Sequence, residues 1–121
     1  MASSRGRRVA ELVDQKCEAC RAGAPRVTAE EKRQLMPQIR DWEIAEQDGI
    51  ERLVRTYPVD GFKNALLFTM KIGELAEEEG HHPAILTEWG RVTVSWWSHK
   101  IKGLHVNDFI MAAKTDRIAR L

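Results

Sequence analysis

The chain has 121 residues and a mass of 13.8 kDa, the size of one domain with one modest core. With 31% charged residues and a mean hydropathy of -0.43, it reads as soluble, and no apolar run approaches the ~20 residues of a membrane-spanning helix. Nineteen Lys and Arg against eighteen Asp and Glu leave a formal net charge of +1. That balance gives no electrostatic reason to expect a nucleic acid or an acidic partner.

The first residues, Met1 to Arg8, are small, polar and basic, and Glu11 and Asp14 interrupt the apolar run a signal core needs. Residues 1–25 therefore read as a flexible N-terminal arm, with one helical turn around Val9 to Val13, ahead of a domain at 26–121. A cytoplasmic protein is the expectation. Cys17 and Cys20 form a lone Cys-x-x-Cys. No second pair completes a zinc site and no strand precedes it as in a redox motif, so the two read as incidental.

Thr28-Ala29-Glu30-Glu31 is a capping-box pattern that starts a helix through Leu35, Met36 and Ile39, with Pro37 ending or bending it. Asp41–Ala45 and Ile50–Tyr57 read as two strands joined at Gln47-Asp48-Gly49, and Pro58 closes the second. From Asp60 to Glu79 the period becomes helical, and Phe62, Leu66, Thr69, Ile72, Gly73 and Ala76 form the expected inner stripe. Gly80 is a natural helix end and Pro83 prevents resumption. Ala84–Glu88 and Arg91–Ser98 form a second hairpin around Trp89-Gly90, with Val92, Val94 and Trp96 on one face. A last helix runs from about Val106, with Phe109, Ile110, Ala113, Ile118 and Leu121 apolar. The order α-β-β-α-β-β-α predicts an α+β fold: a four-stranded antiparallel sheet with helices packed on one face. A sheet this small leaves an edge to protect, which favours a homo-oligomer.

Four histidines against one tyrosine are the oddity in the composition, and three of them fall into one constellation. His81 and His82 end the middle helix, just before Pro83. Glu77 lies one helical turn back, His99 ends the following hairpin, and Asp108 sits in the first turn of the last helix. Each also has an ordinary structural reading. A histidine suits a helix C-terminus, Asp108 suits a cap, and Glu77 belongs to the acidic run Glu77–Glu79. His105 has no assigned part. No serine, cysteine or threonine stands in a nucleophile motif, and no glycine-rich phosphate loop exists. Adjacent histidines and the absence of a His-x-x-x-His pattern weaken metal binding, although a metal-dependent hydrolase on the same residues is a further reading. Acid–base work near neutral pH remains. Elimination of water fits it, and isomerisation or hydrolysis fit the bare residues nearly as well.

The spacing resembles one family, the pterin-4a-carbinolamine dehydratases. Its pattern is an acidic residue, three spacers, His-His-Pro, an aromatic, then a histidine and an aspartate at set distances. Here Glu77 is followed after three residues by His81-His82-Pro83, after five by Trp89, after nine by His99 and after eight by Asp108. Gly103-Leu104 and the region of Phe62 are also similar, so the likeness runs from about residue 26 to the C-terminus. The Cys-Glu-Ala-Cys arm resembles bacterial members found with phenylalanine hydroxylase. The resemblance implies loss of water from 4a-hydroxytetrahydropterin to give quinonoid dihydropterin, which recycles the pterin of an aromatic amino acid hydroxylase. It implies no metal and no cofactor, and a homodimer through the sheet edge or a homotetramer through helices. By the same resemblance His81 and His99 are the acid–base pair, while His82 binds and orients the pterin with an auxiliary proton role. Glu77 fixes a histidine tautomer or meets the pterin edge, and Asp108 supports His99 or the pocket wall. Pro83 and the backbone near Ser98 hold the flat ring. Ile101 stands where some members carry a cysteine and receives no role. Animal members also act as dimerisation cofactors of a homeodomain transcription factor. A regulatory role by protein–protein binding is therefore the alternative, and an exposed apolar stripe on the helix from Phe62 would mark it.

Overall fold

The computed structural model describes residues 11–16 and 24–120. A short 3-10 turn at Leu12–Asp14 comes first. It is followed by α1 (Ala29–Leu35), a second 3-10 turn (Met36–Ile39), β1 (Glu43–Gln47), β2 (Ile50–Pro58), α2 (Gly61–Glu79), β3 (Ala84–Glu88), β4 (Arg91–Trp96) and α3 (Val106–Ala119). All pairings in the sheet are antiparallel, in the order β1-β2-β4-β3. This is the α+β architecture expected from the sequence.

Local chemistry accounts for the boundaries. Thr28 accepts the Glu31 N–H at 3.1 Å while Glu31 accepts the Thr28 N–H at 2.8 Å, a complete capping box for α1. Pro37 tightens the chain into the 3-10 turn rather than continuing α1. Asp48 and Gly49 both take positive φ, 55° and 79°, as a two-residue hairpin turn with the sheet's own twist requires.

The core forms where the helices cover one sheet face. Val92, Val94 and Trp96 of β4 are fully buried there beside Leu53 of β2, in the alternation that a half-covered strand demands. The expected stripe of α2 is corrected by the structure. Ala65, Phe68, Ile72 and Ala76 are the buried residues, whereas Phe62 and Leu66 are 45% and 46% exposed. The two stripes share Ile72 and Ala76 but diverge toward the helix N-terminus. There Phe68 turns inward to meet Tyr57 edge-on, with ring centroids 4.9 Å apart, and small Ala65 lets the helix approach the sheet.

α3 is enclosed on nearly all sides from Asn107 to Thr115. Leu12 of the first 3-10 turn is itself fully buried and is tied down by its N–H donating to Gln38 Oε1 at 2.8 Å. That described part of the N-terminal segment thus packs as core, a role that the short apolar pair Leu12-Val13 between Glu11 and Asp14 does not announce. Cys17, Cys20 and Leu121 lie outside the described residues.

Asp116 joins α3 to the sheet. It accepts from Trp42 Nε1 at 2.9 Å, from Arg55 Nη1 at 2.7 Å and from the Tyr57 hydroxyl. Replacing it strands three donors, two of them on largely buried rings. Asp116→Ala is expected to lower the unfolding free energy by about 2–4 kcal/mol, measurable by urea denaturation. Burial, reinforced by the hydrogen bond and the charge of Asp116, pushes the Tyr57 phenol far above its usual range against a smaller opposing effect of Arg55. Because the folded state holds this proton more tightly, its stabilising contribution is complete below the usual tyrosine range, about pH 10, and is lost above it. Tyr57 is the chain's one tyrosine, so tyrosinate absorbance reads it alone. Tyrosinate should appear only as the native protein unfolds at alkaline pH, and Tyr57→Phe should show a shallower alkaline loss of stability.

Candidate active site

Three chain segments converge at one end of the sheet. The first is the end of α2, where Gly80 turns left-handed at φ 68°, a conformation glycine adopts without a side-chain clash. The His81 N–H then donates back to the Ala76 carbonyl at 3.1 Å, and His81, His82 and Pro83 lead into β3. The second is the end of β4, where Ser98 and Gly103 pair across a tight turn that begins at His99. The third is the start of α3. His105 is its N-cap, with Nδ1 accepting from Asn107 N–H at 3.0 Å.

Asp108 binds all three. One carboxylate oxygen accepts from His81 Nε2 at 2.6 Å. The other accepts from the Ser98 hydroxyl at 2.8 Å and from the His105 backbone N–H at 2.9 Å. The side chain is fully buried. Of the two expectations for Asp108, support of His99 or of the pocket wall, the bond to His99 is not formed, and the histidine partner is His81. The same carboxylate also completes the capping box of α3, so its ordinary reading and its place in the site both hold. The capping partner, His105, escaped notice because histidine is an unusual N-cap.

The three imidazoles differ in setting. His81 is buried and lies parallel to the Trp96 ring, 5.7 Å away with an angle of 6° between the planes. His82 is exposed and bonds Glu77 through Nε2 at 2.6 Å. His99 is exposed, with Nε2 at 3.3 Å from the His82 carbonyl and its ring beside Trp97. A carboxylate or carbonyl oxygen only accepts, so each Nε2 is the donor. In the neutral ring that leaves Nδ1 as the proton-accepting atom of all three histidines.

The acidic run also divides. Glu77 and Glu78 are exposed, but Glu79 pairs with Lys114 of α3 at 2.9 Å, with both side chains only 9% exposed. This ion pair fixes the end of α2 against α3 immediately before the histidines. Trp89, the aromatic of the motif, is 77% exposed at the tip of the β3–β4 hairpin, the far end from His81 and His99. Pro83 directs the chain into β3. Among the described residues no three His, Cys, Asp or Glu side chains gather in a group able to hold a metal ion. No described helix is long and apolar enough to cross a membrane.

The arrangement makes His81 orientation depend on one carboxylate. In Asp108→Asn an amide N–H must face one of the three donors, which costs about 1–3 kcal/mol and frees the His81 ring. Nitrogen NMR of the imidazoles is expected to show His81 losing its single Nε2–H tautomer in the variant. An unchanged His81 spectrum would contradict the assignment.

Comparison with known proteins follows the same residues. Residues 25–118 match the family model described as pterin 4 alpha carbinolamine dehydratase. A protein of Nitrosococcus oceani with the provisional name pterin-4-alpha-carbinolamine dehydratase is 62% identical over 110 residues, covering 91% of this chain and 97% of that protein. A crystal structure of a transcriptional coactivator/pterin dehydratase from Brucella melitensis superposes with a TM-score of 0.71 at 28% identity, covering 78% of this chain and 99% of the other. With its helix–strand order, its histidine site and these likenesses in agreement, the chain belongs to the pterin 4 alpha carbinolamine dehydratase family of hydro-lyases.

Proposed function

We propose that this protein removes water from 4a-hydroxytetrahydropterin to give quinonoid dihydropterin, and so recycles the pterin of an aromatic amino acid hydroxylase. The observation that carries the reading is the set of three imidazoles at one end of the sheet, each with Nε2 against an oxygen, which makes Nδ1 the proton acceptor of the neutral ring. In the reaction the 4a-hydroxyl takes a proton and leaves as water, the N5 proton is removed, and the C4a–N5 double bond forms. His81 and His99 supply the acid–base pair. Asp108 orients His81 and faces the positive charge that forms when the ring accepts a proton, the role a buried aspartate plays beside any catalytic imidazole. His82, held by Glu77, binds and orients the ring from the exposed side and supports proton transfer. Pro83 and backbone near Ser98, in the turn that opens at His99, lie against the flat ring, while Ser98 itself is fully buried beneath them. The reaction proposed needs no metal or cofactor and takes place in the cytoplasm. The active form is a homodimer through a sheet edge, β1 or β3, or a homotetramer through helices, with neither nucleic acid nor membrane as a partner.

Turnover of 4a-hydroxytetrahydropterin by single variants tests these roles. His81→Ala and His99→Ala should each lose about 100- to 10,000-fold in kcat, with His82→Ala acting more on KM. Near wild-type turnover in both His81→Ala and His99→Ala would overturn the reading.

A second reading has its own observation. Phe62, Leu66, Leu67 and Met70 are all 45–62% exposed along α2, beside a cavity of about 580 Å³ lined in part by Leu67, Phe68, Met70 and Ile118. Contiguous apolar side chains of this kind mark contact surfaces, and the Brucella relative is described as a transcriptional coactivator as well as a dehydratase. Protein–protein binding through α2 is the regulatory alternative. Leu66→Glu with Met70→Glu should reduce the assembly mass in sedimentation while turnover is retained. An unchanged mass would count against α2 as the contact between copies.

A further inference from the structure

The sheet face opposite the core carries a stack of side chains, Arg52, Trp97 and His99, of which the proposed reaction uses only His99. Leu53 of β2 pairs with Trp96 of β4, and both point into the core. Their neighbours Arg52 and Trp97 therefore project to the opposite face. There the Arg52 guanidinium lies 3.9 Å from the centroid of the Trp97 ring. Trp97 in turn lies 4.4 Å, centroid to centroid, from the His99 imidazole, with the planes tilted by 36°. The buried Nε of Arg52 has no hydrogen-bond partner among the described residues. Stacking on the indole is thus the contact that orients this end of the guanidinium, a use to which a planar, weakly hydrated cation is suited.

His99 has few other restraints. It is exposed, stands beyond the last residue of β4, and opens the turn closed by Ser98 and Gly103. Its ring bond to the His82 carbonyl is 3.3 Å, longer than a typical N–H···O bond of about 2.9–3.0 Å. His81, by contrast, is fixed by a buried carboxylate and a parallel indole. The two histidines of one acid–base pair are therefore held by different means, and the exposed one leans on Trp97.

We propose that Trp97 is a positioning residue for His99, and that Arg52 holds the Trp97 ring in the pose that does so. The proposal rests on the reading of His99 as an acid–base group. Displacing a reacting group by about 1 Å costs on the order of 100-fold in rate, so loss of the indole falls on kcat rather than on substrate binding.

The test combines steady-state turnover of 4a-hydroxytetrahydropterin with proton NMR of the His99 ring. Trp97→Ala should lower kcat about 10- to 100-fold with little change in KM, and Trp97→Phe, which keeps an aromatic face, should recover most of it. In a His99→Ala background Trp97→Ala should bring no further loss, because residues acting through one another are not additive. The His99 ring protons should also lose their ring-current shift in Trp97→Ala. Should that variant fail to fold, Arg52→Met leaves the indole in place and is expected to move the same resonances and lower kcat by a smaller factor. An equal loss from Trp97→Ala with and without His99, or His99 resonances unmoved by these changes, would overturn the proposal. If His99→Ala by itself keeps full turnover, the acid–base assignment of His99 is what fails. The resonances then decide separately whether Trp97 positions the ring.

Discussion

The carboxylate of Asp108 is the constraint on which the site depends. It is buried without exposure and receives hydrogen bonds from the end of α2, the end of β4 and the start of α3. A buried carboxylate is costly unless its oxygens are satisfied, and here each donor comes from a different segment. The cost of leaving it unpaired therefore enforces the convergence of those segments, and the position of His81 with it. The buried Lys114–Glu79 pair acts in the same direction, tying α2 to α3 two residues before His81. Asp116 performs the equivalent task at the other end of α3, where it gathers Trp42, Arg55 and Tyr57.

From this follows a division among the imidazoles. His81 belongs to the core, stacked on Trp96 and fixed by Asp108. His82 and His99 belong to the surface, held by Glu77, by a backbone carbonyl and by Trp97. A pair with one rigid and one accessible member suits a reaction in which a bound ring must both give and receive a proton while water leaves. Under the proposed function the exposed side receives substrate, and the buried side fixes the geometry.

Much of this was legible in the sequence because it depends on local rules. The capping box at Thr28, the Asp48-Gly49 turn, the glycine after α2 and the alternation of β4 each leave a signature within a few residues. The candidate site residues stand out in the sequence through their spacing, and the approach of His99 to the His81-His82 segment follows from the hairpin that returns the chain. What escaped depends on partners far apart in the chain. The pairing of Asp108 with His81 rather than His99, the burial of Glu79 against Lys114 and the packing of Leu12 are set by which elements meet. The stripe of α2 was misplaced for a related reason. Phe62 and Leu66 follow a helical period as well as Ala65 and Phe68 do, and contacts with distant elements, such as Phe68 on Tyr57, decide which set faces inward.

The central claim is that the end of the sheet bearing His81, His82 and His99 receives the pterin. A crystal structure of the protein with a bound pterin analogue addresses this most directly. The account predicts the ring against His82 and His99, near Pro83 and Ser98, with the His81–Asp108 pair intact beneath it. A pterin seated instead in the apolar cavity between α2 and α3, with the three imidazoles untouched, would contradict it.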